Sequence, residues 1–126
     1  MKKIISTFNA PSAIGPYSQA IKFNNMIFTS GVIPIDPETN ELVTGTVQEQ
    51  TTRVLKNLKA LLEDAGSSMD NVIKTTVFIK NMDDFVKINE VYGSYFVNDY
   101  PARSCVEVAR LPKDVLLEVE AIAYIK

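Results

Sequence analysis

Between positions 46 and 66 the apolar residues recur at three- and four-residue steps. Val47, Thr51, Val54, Leu55, Leu58, Leu61, Leu62 and Ala65 fall on one stripe, the pattern of a helix laid against a core. Thr46-Val47-Gln48-Glu49 has capping-box spacing, and Gly66 stands where a left-handed residue closes a helix. A second helical stripe runs through Phe85, Ile88, Tyr92, Tyr95 and Phe96, with Asn81 or Asp83 placed to cap it. Gly93 costs about 1 kcal/mol against Ala there, so it marks close packing or a bend. This helix must end before Pro101.

Elsewhere the pattern is that of strands. Lys3–Thr7 reads as a short edge strand. Gln19–Phe23 and Met26–Ser30, joined by Asn24-Asn25, read as a hairpin whose link tolerates positive φ. Gly31 permits close approach of a backbone or a ligand, and Val32–Pro37 continues as an extended, proline-marked segment. Asp36–Asn40 is a turn. Val72–Ile79 is a strand rich in β-branched residues, and Arg103–Val108 and Leu116–Tyr124 are the last two. Asn9–Ser18, with two prolines and a glycine, is a shaped loop ending near Tyr17, whose ring either lids a core edge or lines a site. Strands, helix, strand, helix, strands predicts an α+β domain over 1–126: a mixed sheet with two helices packed on one face. The other face is left with an apolar surplus that self-association would cover.

Composition narrows the chemistry. The chain carries 13 basic and 15 acidic residues, scattered, so it lacks the electrostatic footprint of a nucleic-acid binder. It has no histidine, which removes the commonest general base and zinc ligand together and leaves no transition-metal site to expect. The single cysteine, Cys105, cannot form an internal bridge and fits a reducing, cytoplasmic setting. No apolar run approaches the roughly 20 residues of a membrane span, and Met1–Ile5 does not resemble a signal peptide.

Charge inside the penultimate strand is the candidate chemistry. Alternation puts Arg103, Cys105 and Glu107 on one face of their strand, and Glu118 and Glu120 on one face of theirs. The pattern allows an Arg–Glu pair on a solvated sheet face or an arginine kept for an anion. Glu107 and Glu120 read as partners of neighbouring Arg or Lys residues, and Arg110 as a loop or intersubunit contact.

Ala13-Ile14-Gly15-Pro16-Tyr17-Ser18, Thr29-Ser30-Gly31 with Pro34, Lys74–Phe78, Asn89-Glu90-Val91-Tyr92 and above all Pro101-Ala102-Arg103-Ser104-Cys105-Val106 with Leu111-Pro112 and Glu118 resemble the Rid, or YjgF-like, family over essentially the whole chain. The resemblance implies a chorismate-mutase-like fold and a homotrimer. The sheets would form a central β-barrel, with a site in each cleft between subunits. It implies a cofactor-free deaminase that hydrolyses 2-iminobutanoate and 2-iminopropanoate, reactive products of pyridoxal-phosphate dehydratases, to 2-oxo acids and ammonia. By position Arg103 would bind the substrate carboxylate, with Tyr17, Ser30, Gly31, Asn89, Cys105 and Glu118 lining the same pocket. The alternative is a non-catalytic trimer that binds small carboxylates and regulates a partner. A ribonuclease role attached to relatives suits this acidic, histidine-free chain poorly.

The residue chemistry agrees with the catalytic assignment. A guanidinium at 103 can clamp a carboxylate through two parallel N–H bonds, which lysine cannot. Glu118 can orient and deprotonate a water, and Tyr17 can hydrogen-bond the substrate or cover it. Cys105 reads as pocket wall, since nothing near it in sequence lowers its pKa.

Overall fold

The computed structural model describes all 126 residues. Strands β1 (Lys2–Ile5), β2 (Ala20–Phe23) and β3 (Met26–Thr29) are followed by the two-residue strands β4 (Ile35–Asp36) and β5 (Glu41–Leu42). Helix α1 (Val47–Asp64), strand β6 (Val72–Ile79), helix α2 (Phe85–Ser94) and strands β7 (Ala102–Glu107) and β8 (Leu117–Tyr124) complete the chain. The main sheet has the order β1-β2-β3-β8-β6-β7. Every pairing is antiparallel except β6–β7, which α2 joins as a crossover; β4 and β5 pair separately.

Local chemistry sets the boundaries. Thr46 and Glu49 close both halves of the capping box at the start of α1, and Gly66 takes φ +90° past its end. Asn24 takes φ 54° in the β2–β3 link. The second helix differs from expectation. Asn81 caps a short 3₁₀ turn over Met82–Asp84 by accepting from the Asp83 N–H, and α2 starts after it with Asp84 making no side-chain cap. One hydrogen bond at the turn thus moves the α-helical start to Phe85. No helix is long and apolar enough to cross a membrane.

The core lies between the helices and one sheet face. Val54, Leu55, Leu58 and Leu62 of α1 pack with Ile27, Val77, Ile79, Leu117, Val119 and Ala123, all at or near zero exposure. Along β8 the residues alternate, 117, 119, 121 and 123 buried and 118, 120, 122 and 124 half-buried. The uncovered face therefore carries Glu118, Glu120 and Ile122, beside Phe28 and Val106, each 42% exposed. This is the apolar surplus expected from the pattern.

Candidate functional site in two halves

Arg103 is paired with Thr75 across the parallel β6–β7 ladder, and Thr75 is wholly buried beneath α2. The arginine thus leaves the sheet on the helix side, at the edge strand. The guanidinium carbon lies 4.8 Å from the centre of the Tyr92 ring and 5.3 Å from that of Phe85. Its Nη1 donates to Asn89 Oδ1 at 2.8 Å. Residues 85, 89 and 92 share one helix face, so α2 presents two rings and an amide as one seat. Tyr92 is itself held from below, its hydroxyl 2.7 Å from that of Thr75 in the interior. No carboxylate pairs with Arg103, and its remaining N–H groups are unpaired. An open hollow of about 440 Å³, lined by Asn89, Tyr92, Gly93, Tyr100, Pro101 and Arg103, lies before it. Cys105 follows on the same face, where burial pushes its thiol pKa up and Arg103 only partly offsets this. A protonated thiol fits pocket wall better than nucleophile.

Glu118 sits in different surroundings. The β3–β8 ladder runs to Phe28↔Ile122, then slips by one residue and resumes at Val32↔Val119. This bulge holds Ser30 and Gly31 away from β8, and Thr29 Oγ1 accepts the Ala121 N–H at 2.9 Å. The Glu118 side chain lies against Gly31: a Cβ there would fall 2.6 Å from the carboxyl carbon. The close approach that a glycine allows is thus made by a side chain of the same protein. Burial, and then the neighbouring Glu120, raise the Glu118 pKa above the ordinary carboxylate value. Tyr17, Ser30, Gly31, Pro112, Glu118 and Glu120, with Ile14 and Ile33, bound a second hollow of about 470 Å³. Tyr17 is 48% exposed, and its phenol accepts from the Ile14 N–H at 3.4 Å. Ser30 Oγ donates to the Ser18 carbonyl at 2.6 Å.

The expected site residues therefore form two groups within one chain. Arg103, Asn89 and Cys105 stand together on the helix side, while Tyr17, Ser30, Gly31 and Glu118 stand together elsewhere. Glu118 pairs with Phe78 on β6, three residues from the Thr75 that pairs with Arg103, so the two side chains leave opposite faces. Two strand spacings, about 10 Å, also separate their strands. A single pocket holding both is not formed by one chain.

An Arg–Glu pair on a solvated face is likewise absent: the one ion pair of the chain is Arg110–Asp114, at 3.3 Å on the surface. Glu107 accepts the Met82 N–H, and Glu120 faces Glu118, not a cation. No three His, Cys, Asp or Glu side chains gather as a metal site. Sequence reasoning missed the seat formed by Phe85 and Tyr92 and the buried amides Gln19, Gln50 and Asn57. The 85–89–92 spacing, with one amide in an apolar stripe, carried the first signal. The amides gave none, because apart from the Arg53 Nε that donates to Asn57 Oδ1 their partners are backbone groups distant in sequence.

The family described as Endoribonuclease L-PSP matches residues 7–125. A RutC family protein of Pyrococcus abyssi is 60% identical over 123 residues, covering 98% of this chain and 97% of its own. The 2-iminobutanoate/2-iminopropanoate deaminase of Escherichia coli K12 is 52% identical over 126 residues, covering 98% of each. The crystal structure of E. coli TdcF with bound serine superposes with a TM-score of 0.94 at 52% identity, covering 98% of this chain and 99% of that one.

Proposed function

From the premise that this chain belongs to the endoribonuclease L-PSP family, the Rid family that its motifs resemble, we propose that it is a cofactor-free hydrolytic deaminase of small 2-imino acids. The substrates are 2-iminobutanoate and 2-iminopropanoate, unstable products of pyridoxal-phosphate dehydratases, which the enzyme removes before they react elsewhere. The reading rests on one observation: a guanidinium seated on two rings without an acidic partner. The name of the E. coli relative and the serine held by TdcF, itself a small amino acid, agree with it.

The chemistry follows from the residues. Arg103 holds the substrate carboxylate bidentately and fixes C2 of the imine. Glu118, ionised, takes a proton from a water as its oxygen bonds to C2, and the C=N π pair moves to nitrogen. Glu118 returns that proton to nitrogen to give the carbinolamine. It then takes the hydroxyl proton as the C=O bond forms and the C–N bond breaks, and passes it to the departing nitrogen, so that ammonia leaves and the 2-oxo acid remains. Glu118's raised pKa makes it a stronger base than an exposed glutamate, and Tyr17 covers the site or binds the substrate.

Opposite faces keep the two halves apart in one chain, so the site is completed between subunits. Arg103 comes from one subunit of a homotrimer and Glu118 from the next, with the open sheet faces joined in a central barrel. Refolding Arg103→Ala and Glu118→Gln chains together in equal amounts tests this directly. Each variant alone is inactive, but in mixed trimers roughly a quarter of the clefts carry both intact residues. Recovery to that level in a coupled dehydratase assay supports the shared site, and no recovery rejects it. A carboxylate-binding regulator would instead bind 2-oxo acids saturably and show no turnover.

A further inference from the structure

Residues 6–19 form a long loop closed at its base by the Ile5↔Ala20 pair, and Tyr17 rides near its end. Only Tyr17 N–H to Gly15 O, at 2.8 Å, ties its backbone to itself. Side chains supply the other ties, and four of them come from one residue. Gln19, 8% exposed, accepts the Thr7 N–H at Oε1 (2.7 Å). Its Nε2 donates to the carbonyls of Pro11 (2.7 Å), Thr7 (3.1 Å) and Ala10 (3.3 Å). The Gln19 carbonyl accepts the Ser30 N–H at 2.9 Å, while Ser30 Oγ holds Ser18. One residue thus grips the start of the loop through its amide and the Ser30–Gly31 bulge through its backbone. Asp64 adds an exposed outer tie to Thr7 and Asn9.

We propose that Gln19 is a positioning residue for the reaction, acting through Tyr17: its amide sets the loop that places the phenol over the Glu118 half of the site. The inference rests on the deaminase reading for the reaction it serves. The place calls for an acceptor and a donor on one side chain of this length. An ionised carboxylate would set an acceptor oxygen against the carbonyl oxygens, and leucine would leave those carbonyls and one N–H unpaired.

The test is a double-mutant cycle on the full chain with 2-iminobutanoate generated in a coupled assay. Gln19→Leu lowers kcat/KM at least roughly tenfold with the oligomeric mass unchanged. In a Tyr17→Ala background the same change costs less than about twofold, because the loop then has nothing to position. Gln19→Glu, a second variant, regains activity as pH falls, since protonation restores one donor to the carbonyls. An equal loss in both backgrounds, or none in either, overturns the proposal. Amide hydrogen exchange separates it from the deaminase reading. Exchange at residues 7–18 quickens in Gln19→Leu whether or not the wild type turns over imines, and unchanged exchange overturns the seating. A wild type that hydrolyses no imine rejects the deaminase reading alone.

Discussion

Arg103 and Glu118 lie on strands that flank the same neighbour, β6, yet their surroundings are opposites. The arginine leaves the face that α1 and α2 cover, and everything that seats it comes from this chain: the rings of Phe85 and Tyr92, the Asn89 amide and the buried Thr75 beneath. The glutamate leaves the uncovered face, held only by a glycine bulge and crowded by Glu120. One face is finished by a single chain, with every buried side-chain polar atom partnered. The other carries Phe28 and Val106 half in water. The core thus fills one face of the sheet while the proposed chemistry draws on both, and a chain can complete the first without the second.

Three changes test that contrast. The largest effect is expected at the open face. Phe28→Glu puts charge where the proposed homotrimer would cover apolar surface, so light scattering should fall from the mass of three 14.0 kDa chains to that of one. Imine hydrolysis should vanish with it while far-ultraviolet circular dichroism stays that of a folded chain. Full activity in a monomer would show that one chain suffices. Next in size is Arg103→Lys, which keeps the charge but loses the planar fork and its stacking on both rings. A loss of roughly 10- to 150-fold in kcat/KM follows from the ~1.5–3 kcal/mol of a charge-assisted hydrogen bond. Unchanged thermal stability would separate this from a folding defect.

The smallest effect is at Glu120. Burial is the larger cause of Glu118's raised pKa and the Glu120 charge the lesser. Glu120→Gln removes the like charge, favours ionised Glu118 and lowers its pKa. As the base must be ionised, the acid limb of kcat/KM moves to lower pH. A limb that stays put, or moves up, removes Glu118 from the role of general base.

Much of this was written locally. The α1 stripe, the capping box, Gly66 and the strand alternation of β8 depend on neighbours a few residues away, and the chain obeys them. The α2 start slipped to Phe85 because an Asx-type turn at Asn81 outcompeted a helical cap. The candidate residues were legible as types, since an arginine in an apolar strand asks for an anion, but whether a glutamate of the chain or a ligand supplies it was open until the structure showed Arg103 without an acidic partner. Their grouping was not legible, nor were the amide ties of Gln19, Gln50 and Asn57. Gln50 Oε1 accepts the Leu116 N–H 66 residues away, and Asn57 reaches the carbonyls of Ile33 and Ile35.

By itself, then, the order of residues determined the helices, the strands and which side chains share a face of each strand, because those rules have a reach of four residues or fewer. Only the tertiary structure decided that β7 and β8 lie on either side of β6 with Arg103 and Glu118 on opposite faces. That outcome depends on which strands pair and in what register, and a shift of one residue would reverse it.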